Sequence, residues 1–167
     1  MHIQIEQADK DNKETIRNLL EKYNYEFSQY DRHDLNKLGL YGYDYLDNYW
    51  TEKNRWVFLI KVDGNLAGFA MVNDIPECDE KTDFSLSEFF VVYKYRRTGV
   101  GKFAAKEIFD KFKGKWQLKR HPKNTGSVVF WDKVVDEYTS GKYRLIKSCP
   151  GTEYADGSPG DIFIFDS

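Results

Sequence analysis

A run of aromatic and branched residues, Phe84 to Val92, leads through Tyr93-Lys94-Tyr95 into Arg96-Arg97-Thr98-Gly99-Val100-Gly101-Lys102. Beyond it Val100, Phe103, Ala104, Ile108 and Phe112 recur at helical spacing as far as Gly114. A strand that feeds a helix through so short a turn, rich in glycine and arginine, leaves few folds open. The strand belongs inside a sheet, with the helix packed back on one face. The turn brings backbone N–H groups and the positive end of a helix dipole beside arginines, which is the chemistry of an anion cradle. The same glycines also suit close helix–strand packing. Neither the P-loop nor the dinucleotide-binding glycine pattern matches.

The other elements follow from periodicity. Ile3 and Ile5 alternate on a short opening strand, and Asp11 with Glu14 resembles a capping box. A helix is therefore expected to follow, carrying Ile16, Leu19, Leu20 and Tyr23 on one face and ending near Tyr25. Between Tyr23 and Trp50 aromatics alternate with carboxylates, which predicts an ordered but irregular region. Trp56–Val62 and Leu66–Val72, joined by Asp63-Gly64-Asn65, read as a hairpin with a tight primed turn. A strand opening at Trp116-Gln117-Leu118, a helix over 125–138, and strands near 143–148 and 161–165 complete the chain. The fold class predicted is α/β (α+β), as a single domain over residues 1–167.

Charge is segregated. Residues 94–123 carry 11 Lys and Arg against 2 Asp and Glu, whereas residues 1–93 carry 10 against 18, so the near-neutral total conceals a local basic segment. That segment fits either an anion site or a solvated helix face. With the rest of the chain acidic and no recognition motif beside it, nucleic acid is not the expected partner. Cys78 and Cys149 have neither metal-ligand spacing nor the density of a disulfide framework, and His2, His33 and His121 stand apart, so no metal is expected. No segment approaches the roughly 20 apolar residues of a membrane span. The expected setting is the cytoplasm. Ser85 and Ser87 lack a nucleophile elbow.

Arg96-x-x-Gly99-x-Gly101 between an apolar strand and an apolar helix resembles the acyl-CoA pyrophosphate loop of the GNAT superfamily of N-acyltransferases. Asn124-x-x-Ser127-x-x-Phe130-Trp131 resembles the downstream signature of that superfamily, and the element order follows it over nearly the whole chain. The resemblance implies a three-layer fold: a mixed, mostly antiparallel twisted sheet with helices on both faces. It implies acetyl-CoA as co-substrate and an amine as acceptor. The pantetheine arm would add to the backbone of Phe89, Phe90 and Val91 like a strand. The pyrophosphate would lie on Arg96, Arg97, Thr98, Gly99, Val100, Gly101 and Lys102, with Asn124 and Trp131 further along the cofactor. Lys94, Lys102, Lys106, Lys111, Lys113, Lys115 and Lys119 are candidates for the 3′-phosphate, or else solvated charges.

The reaction implied is acetyl transfer to a primary amine, of a small molecule or a protein, by direct attack in a ternary complex. An alkyl ammonium has a pKa near 10.4, so a base is needed at pH 7. Glu88, just before the cofactor-contacting residues, is the candidate; an ion-paired strand carboxylate is the plainer reading. Relatives usually carry Tyr where Trp131 stands, and indole cannot protonate a departing thiolate. That departure keeps open an alternative role as a non-catalytic acyl-CoA-binding sensor. Tyr43, Asp44 and Tyr45, in the aromatic and acidic segment, are the candidate acceptor contacts through cation–π and charge attraction, or else packing residues. The expected assembly is a monomer or homodimer.

Overall fold

The computed structural model describes residues 1–167. Asp63 and Gly64 both adopt positive φ, 48° and 78°, which is the primed turn that the Asp-Gly pair favours. It joins β2 (Arg55–Val62) to β3 (Asn65–Asn73) in antiparallel register. β1 (Ile3–Gln7) pairs with β2, and β4 (Phe84–Val91) with β3. Two helices then flank β5 (Lys115–Arg120): α3 (Val100–Lys111) before it and α4 (Thr125–Thr139) after it. The hairpin of β6 (Tyr143–Ile146) and β7 (Asp161–Asp166) closes the sheet, in the order β1-β2-β3-β4-β5-β7-β6. Only the β4–β5 pair is parallel. The remaining helices are α1 (Lys13–Asp31) and the single turn α2 (Asn48–Thr51).

The three layers follow from which face each strand residue serves. On one side Ile16, Leu19 and Leu20 of α1 meet Val57, Leu59, Phe69, Met71 and Phe90. On the other, Ala105, Ile108 and Phe109 of α3 and Trp131, Val134 and Val135 of α4 meet Phe58, Ala70, Leu86, Trp116, Leu118, Phe163 and Phe165. Phe109 is fully buried, with its ring 5.0 Å from both Trp116 and Phe165. Phe109→Ala is expected to cost about 3–5 kcal/mol, because neighbours held in three elements cannot collapse into the vacated space. Urea unfolding should show this as a lower midpoint at unchanged slope.

Two expectations near the N-terminus are corrected. The capping box is made one step earlier: the Asp9 side chain accepts from Asp11 and Asn12 N–H while Asn12 returns to the Asp9 N–H, closing a 3-10 turn rather than opening α1. α1 also does not stop near Tyr25. It runs six residues further, to Asp31, and ends where Arg32 turns left-handed at φ 65°. Its stripe continues at helical spacing through Phe27 and Tyr30, each ring packed on the one before, and tertiary contacts add to it, with Glu26 bonded to Arg96 and Phe27 against Tyr154 and His121. The first strand of the closing hairpin, β6, is also shorter than expected, ending at Ile146 rather than near 148.

Candidate active site

The turn before α3 has the chemistry to receive an anion. Arg97 and Gly99 take positive φ, 61° and 92°, while Thr98 between them does not, an alternation that forms a nest of inward-turned N–H groups. The Thr98 hydroxyl donates to the Tyr95 carbonyl at 2.7 Å and fixes the turn. No side chain caps α3, and the N–H groups of Arg97 through Lys102 have no acceptor within the chain. Six consecutive free donors at the positive end of a twelve-residue helix fit a pyrophosphate. Gly101 answers to a different constraint, since a Cβ there would press on the Phe130 ring at 3.1 Å.

A cleft runs from that turn. The β4–β5 ladder lasts only from Phe84↔Trp116 to Leu86↔Leu118; beyond it β5 continues beside β7 alone. The β4 backbone from Ser87 onward therefore has no strand partner on its β5 side, which is an open edge for an extended, amide-bearing chain. The side chains of Phe89 and Phe90 are committed to the core: Phe89 lies 6.0 Å from Phe130 and 5.2 Å from Trp131, while Phe90 packs beneath α1. The Val91 carbonyl already accepts Arg96 Nε at 2.6 Å.

Glu88 reaches this cleft through a β-bulge. Met71 pairs with Glu88 and Val72 with Leu86, so Ser87 is an extra residue. The bulge shifts side-chain parity: Leu86 and Phe89, three apart, serve the same core, while Ser87 and Glu88 both turn towards α1. Tyr43 donates to Glu88 Oε1 at 3.3 Å, and Tyr23 lies against the same carboxyl. Burial pushes Glu88 up to about 7. The two tyrosine hydroxyls and Lys119 oppose the rise, and Glu77 reinforces it. Burial also raises Tyr23 and Tyr43 far above their ordinary range, so both remain hydrogen-bond donors.

The other residues singled out from the sequence take varied places. Arg96 forms a bidentate pair with Glu26, at 2.6 and 2.7 Å, and its guanidinium lies 4.2 Å over the Tyr93 ring, so its charge is already matched. Lys102 pairs with Glu137. Arg97 is exposed and unpaired beside the nest. Asn124 caps α4, its side chain accepting from Ser127 N–H at 3.1 Å. Trp131 is buried between Phe89 and Phe130. The Tyr138 hydroxyl is held by Asp110 at 2.9 Å, which leaves the indole without a phenolic substitute on α4. Asp44 is exposed, while Tyr43 and Tyr45 line a recess with Tyr49, Asn73, Glu77 and Ser87. Lys119 rests 4.0 Å over the Tyr154 ring, and burial draws it below its ordinary value. It flanks the two carboxylates, a different place from the outer lysines of α3.

Tyr23 and Tyr49 belong to the aromatic segment expected to face the acceptor but were not singled out within it, and Asn73, Glu77 and Tyr154 were missed. Glu77 and Tyr154 stand on loops without periodicity, and Tyr23 read as a packing residue of α1. Neither His33 nor His121 is isolated: His33 Nδ1 lies 2.5 Å from Asp31, and buried His121 Nε2 lies 3.2 Å from Asp156, its ring 4.5 Å from that of Tyr154. No cluster of metal-ligating side chains is present, and no helix is long and apolar enough to cross a membrane.

Comparison with known proteins agrees with this fold. An acetyltransferase from Thermus thermophilus is 13% identical, with TM-score 0.69 over 100% of this chain and 98% of that one. A GNAT-family acetyltransferase from Streptococcus agalactiae is 18% identical, with TM-score 0.69 over 99% and 95%. The PaiA N-acetyltransferase of Thermoplasma acidophilum, solved in complex with coenzyme A, is 16% identical, with TM-score 0.59 over the whole of both chains. At these identities the likeness is one of fold. No curated protein matches the chain. The profile of the Acetyltransferase (GNAT) family matches residues 14–135, which span α1, the central strands, the anion turn and most of α4, and the chain belongs to that family of acyltransferases.

Proposed function

We propose that this protein moves the acetyl group of acetyl-CoA to a primary amine by direct attack, with Glu88 as the general base. The observation that carries the reading is the placement of Glu88: a bulge sets a carboxyl of pKa about 7 beside the open edge of β4, on the strand that leads into the free amides of 97–102. Those amides suit the pyrophosphate, and the unpaired backbone from Ser87 to Phe90 suits the pantetheine amides. The family uses acetyl-CoA, which makes the thioester the natural occupant of the cleft between β4 and β5.

Glu88 in its ionised form accepts one proton from the acceptor ammonium. The freed nitrogen lone pair forms the C–N bond at the thioester carbonyl, and the C–S bond breaks with its electron pair leaving on sulfur. The second nitrogen proton passes to solvent as the amide forms, and the thiolate takes up a proton from solvent in turn. No hydroxyl is needed at position 131, because a thiol with a pKa near 8.5 is a tolerable leaving group as the thiolate. Tyr43 and Tyr23 hold the carboxylate and donate to it, which orients the lone pair that receives the proton. With both cysteines free, a reducing cytoplasm suits the protein.

Calorimetry with acetyl-CoA, followed by thiol release in the presence of primary amines, tests the reading. Binding with amine-dependent release is expected. Absence of acetyl-CoA binding overturns the assignment of residues 97–102, and binding without release for any amine overturns the transfer.

A further inference from the structure

Glu77 is a carboxylate that the mechanism leaves unused. It stands on the segment between β3 and β4, whose course is fixed from three directions. Asn73 Oδ1 accepts the Ile75 N–H at 3.0 Å, and the Ser85 hydroxyl donates to the Ile75 carbonyl at 2.6 Å. Fully buried Gln117 accepts the N–H groups of Glu77 (2.8 Å) and Cys78 (3.3 Å) and donates to the Glu80 carbonyl at 3.0 Å. So held, Glu77 faces a recess of about 130 Å³ walled by Tyr43, Tyr45, Tyr49, Asn73 and Ser87.

Within the chain its carboxylate has neither a hydrogen-bond donor nor an ion-pair partner, and burial pushes it up to about 6. Arg55, the cation on the recess wall, is occupied by Glu52 at 2.7 Å and lies over the Tyr49 ring at 5.6 Å. Lys119 is seated on Tyr154 and makes no ion pair with Glu77, although its charge opposes the rise through space. A carboxylate partly drawn from water, fixed in position, lacking a direct ion pair and reached by Lys119 only through space gains from a cation that comes into contact with it. Tyrosine faces beside it favour an ammonium over a metal ion. The recess is well below the roughly 300–1,000 Å³ that encloses a whole drug-sized ligand, so it takes one arm of the acceptor. It also adjoins the base, because Tyr43 both lines it and donates to Glu88, and Ser87 precedes Glu88 in the chain.

We propose that the acceptor is a diamine, one nitrogen meeting Glu88 and the second, as an ammonium, held by Glu77 between the rings of Tyr43, Tyr45 and Tyr49. This assignment rests on the acetyl-transfer reading for the position of the reacting nitrogen, but the second-cation subsite can be tested apart from it.

The test compares a homologous series of α,ω-diamines with n-alkylamines of matched length, using the acetyl-CoA-saturated protein and thiol release as the readout. For the best diamine kcat/KM is expected to exceed that of its monoamine by about tenfold to a hundredfold, mostly through KM, as for a hydrogen bond to a charged group. Glu77→Gln is expected to bring that ratio close to one. Calorimetry of acetyl-CoA with the same variant checks that its fold is retained. An equal ratio in wild type and Glu77→Gln overturns the proposal, as does a wild-type preference for the monoamine. Calorimetry with the diamine and the CoA-saturated protein separates the two readings. Diamine binding that Glu77→Gln abolishes, without thiol release in either, supports the subsite and overturns acetyl transfer. No diamine binding overturns the subsite whatever the thiol assay reports.

Discussion

Gly99→Glu is expected to lower acetyl-CoA affinity by about a hundredfold, close to 2.7 kcal/mol, while leaving the fold in place. The position is open: nothing lies within 4 Å of where a Cβ would stand, so the substitution meets no steric obstacle. Two costs remain. A side chain at φ 92° strains the turn by about 1–2 kcal/mol, which any residue other than glycine incurs. A carboxylate among the free amides adds repulsion towards a pyrophosphate, worth up to about 4 kcal/mol per charge pair at close range near a surface and less where solvent screens it. Gly99→Ala carries the first cost alone and separates the two. Calorimetry should find the alanine variant within about tenfold of wild type, the glutamate variant far below it, and the gap between them narrower at high salt. Equal losses would mean that backbone conformation rather than charge governs the cradle. An unchanged affinity in the glutamate variant would falsify the placement of the pyrophosphate at 97–102.

This turn was legible from the sequence because its requirements are local. Positive φ favours glycine at position 99, close packing on the Phe130 ring favours it at 101, and both stand beside the stripe from Val100 to Ile108 that opens the helix. The β2–β3 hairpin was legible for the same reason, since Asp63-Gly64 determines its own turn. The layer order was implied by the family resemblance, and its physical mark is β3, where apolar residues run almost unbroken because helices cover both faces.

What the sequence concealed depends on contacts made at long range. The α1 helix runs past Tyr25 on the rings of Phe27 and Tyr30, and its end is tied by Glu26 to Arg96, seventy residues away, a partner that no window centred on α1 contains. The bulge at Ser87 leaves no compositional mark, yet it decides that Glu88 turns to the tyrosines rather than to the α3 side. Glu77 is placed by Gln117, a buried amide forty residues downstream on β5, so its role could not be read from its own surroundings. The cleft is thus assembled from one locally encoded strand and turn, together with loops whose positions are set by single polar side chains elsewhere in the sheet.

Glu88→Gln is expected to lower kcat by about a hundredfold to ten-thousandfold, the usual contribution of a positioned base. It should also remove the acidic limb of the rate profile. In the wild type the carboxyl is protonated below about pH 7 and cannot accept the acceptor's proton, so turnover should rise with pH through that value and then level. The amide variant holds no proton acceptor at any pH, and its residual rate should follow only the ionisation of the free amine. Stability should move in the opposite direction. A carboxyl raised from 4.5 to about 7 is protonated in the folded chain but ionised in the unfolded one between those values, so its contribution to folding is lost as pH rises across that window. Glutamine has no charge to bury, can still accept from Tyr43, and should therefore raise stability at pH 8 by about 1–3 kcal/mol relative to wild type, with the difference vanishing near pH 4. Thermal unfolding of both proteins at the two pH values, set beside their rate profiles, checks the pair of effects. A variant less active and also less stable at pH 8 would mean that Glu88 serves chiefly to hold Tyr23 and Tyr43 in place. A variant less active and more stable identifies a buried charge that burdens the fold and is retained for the proton it accepts.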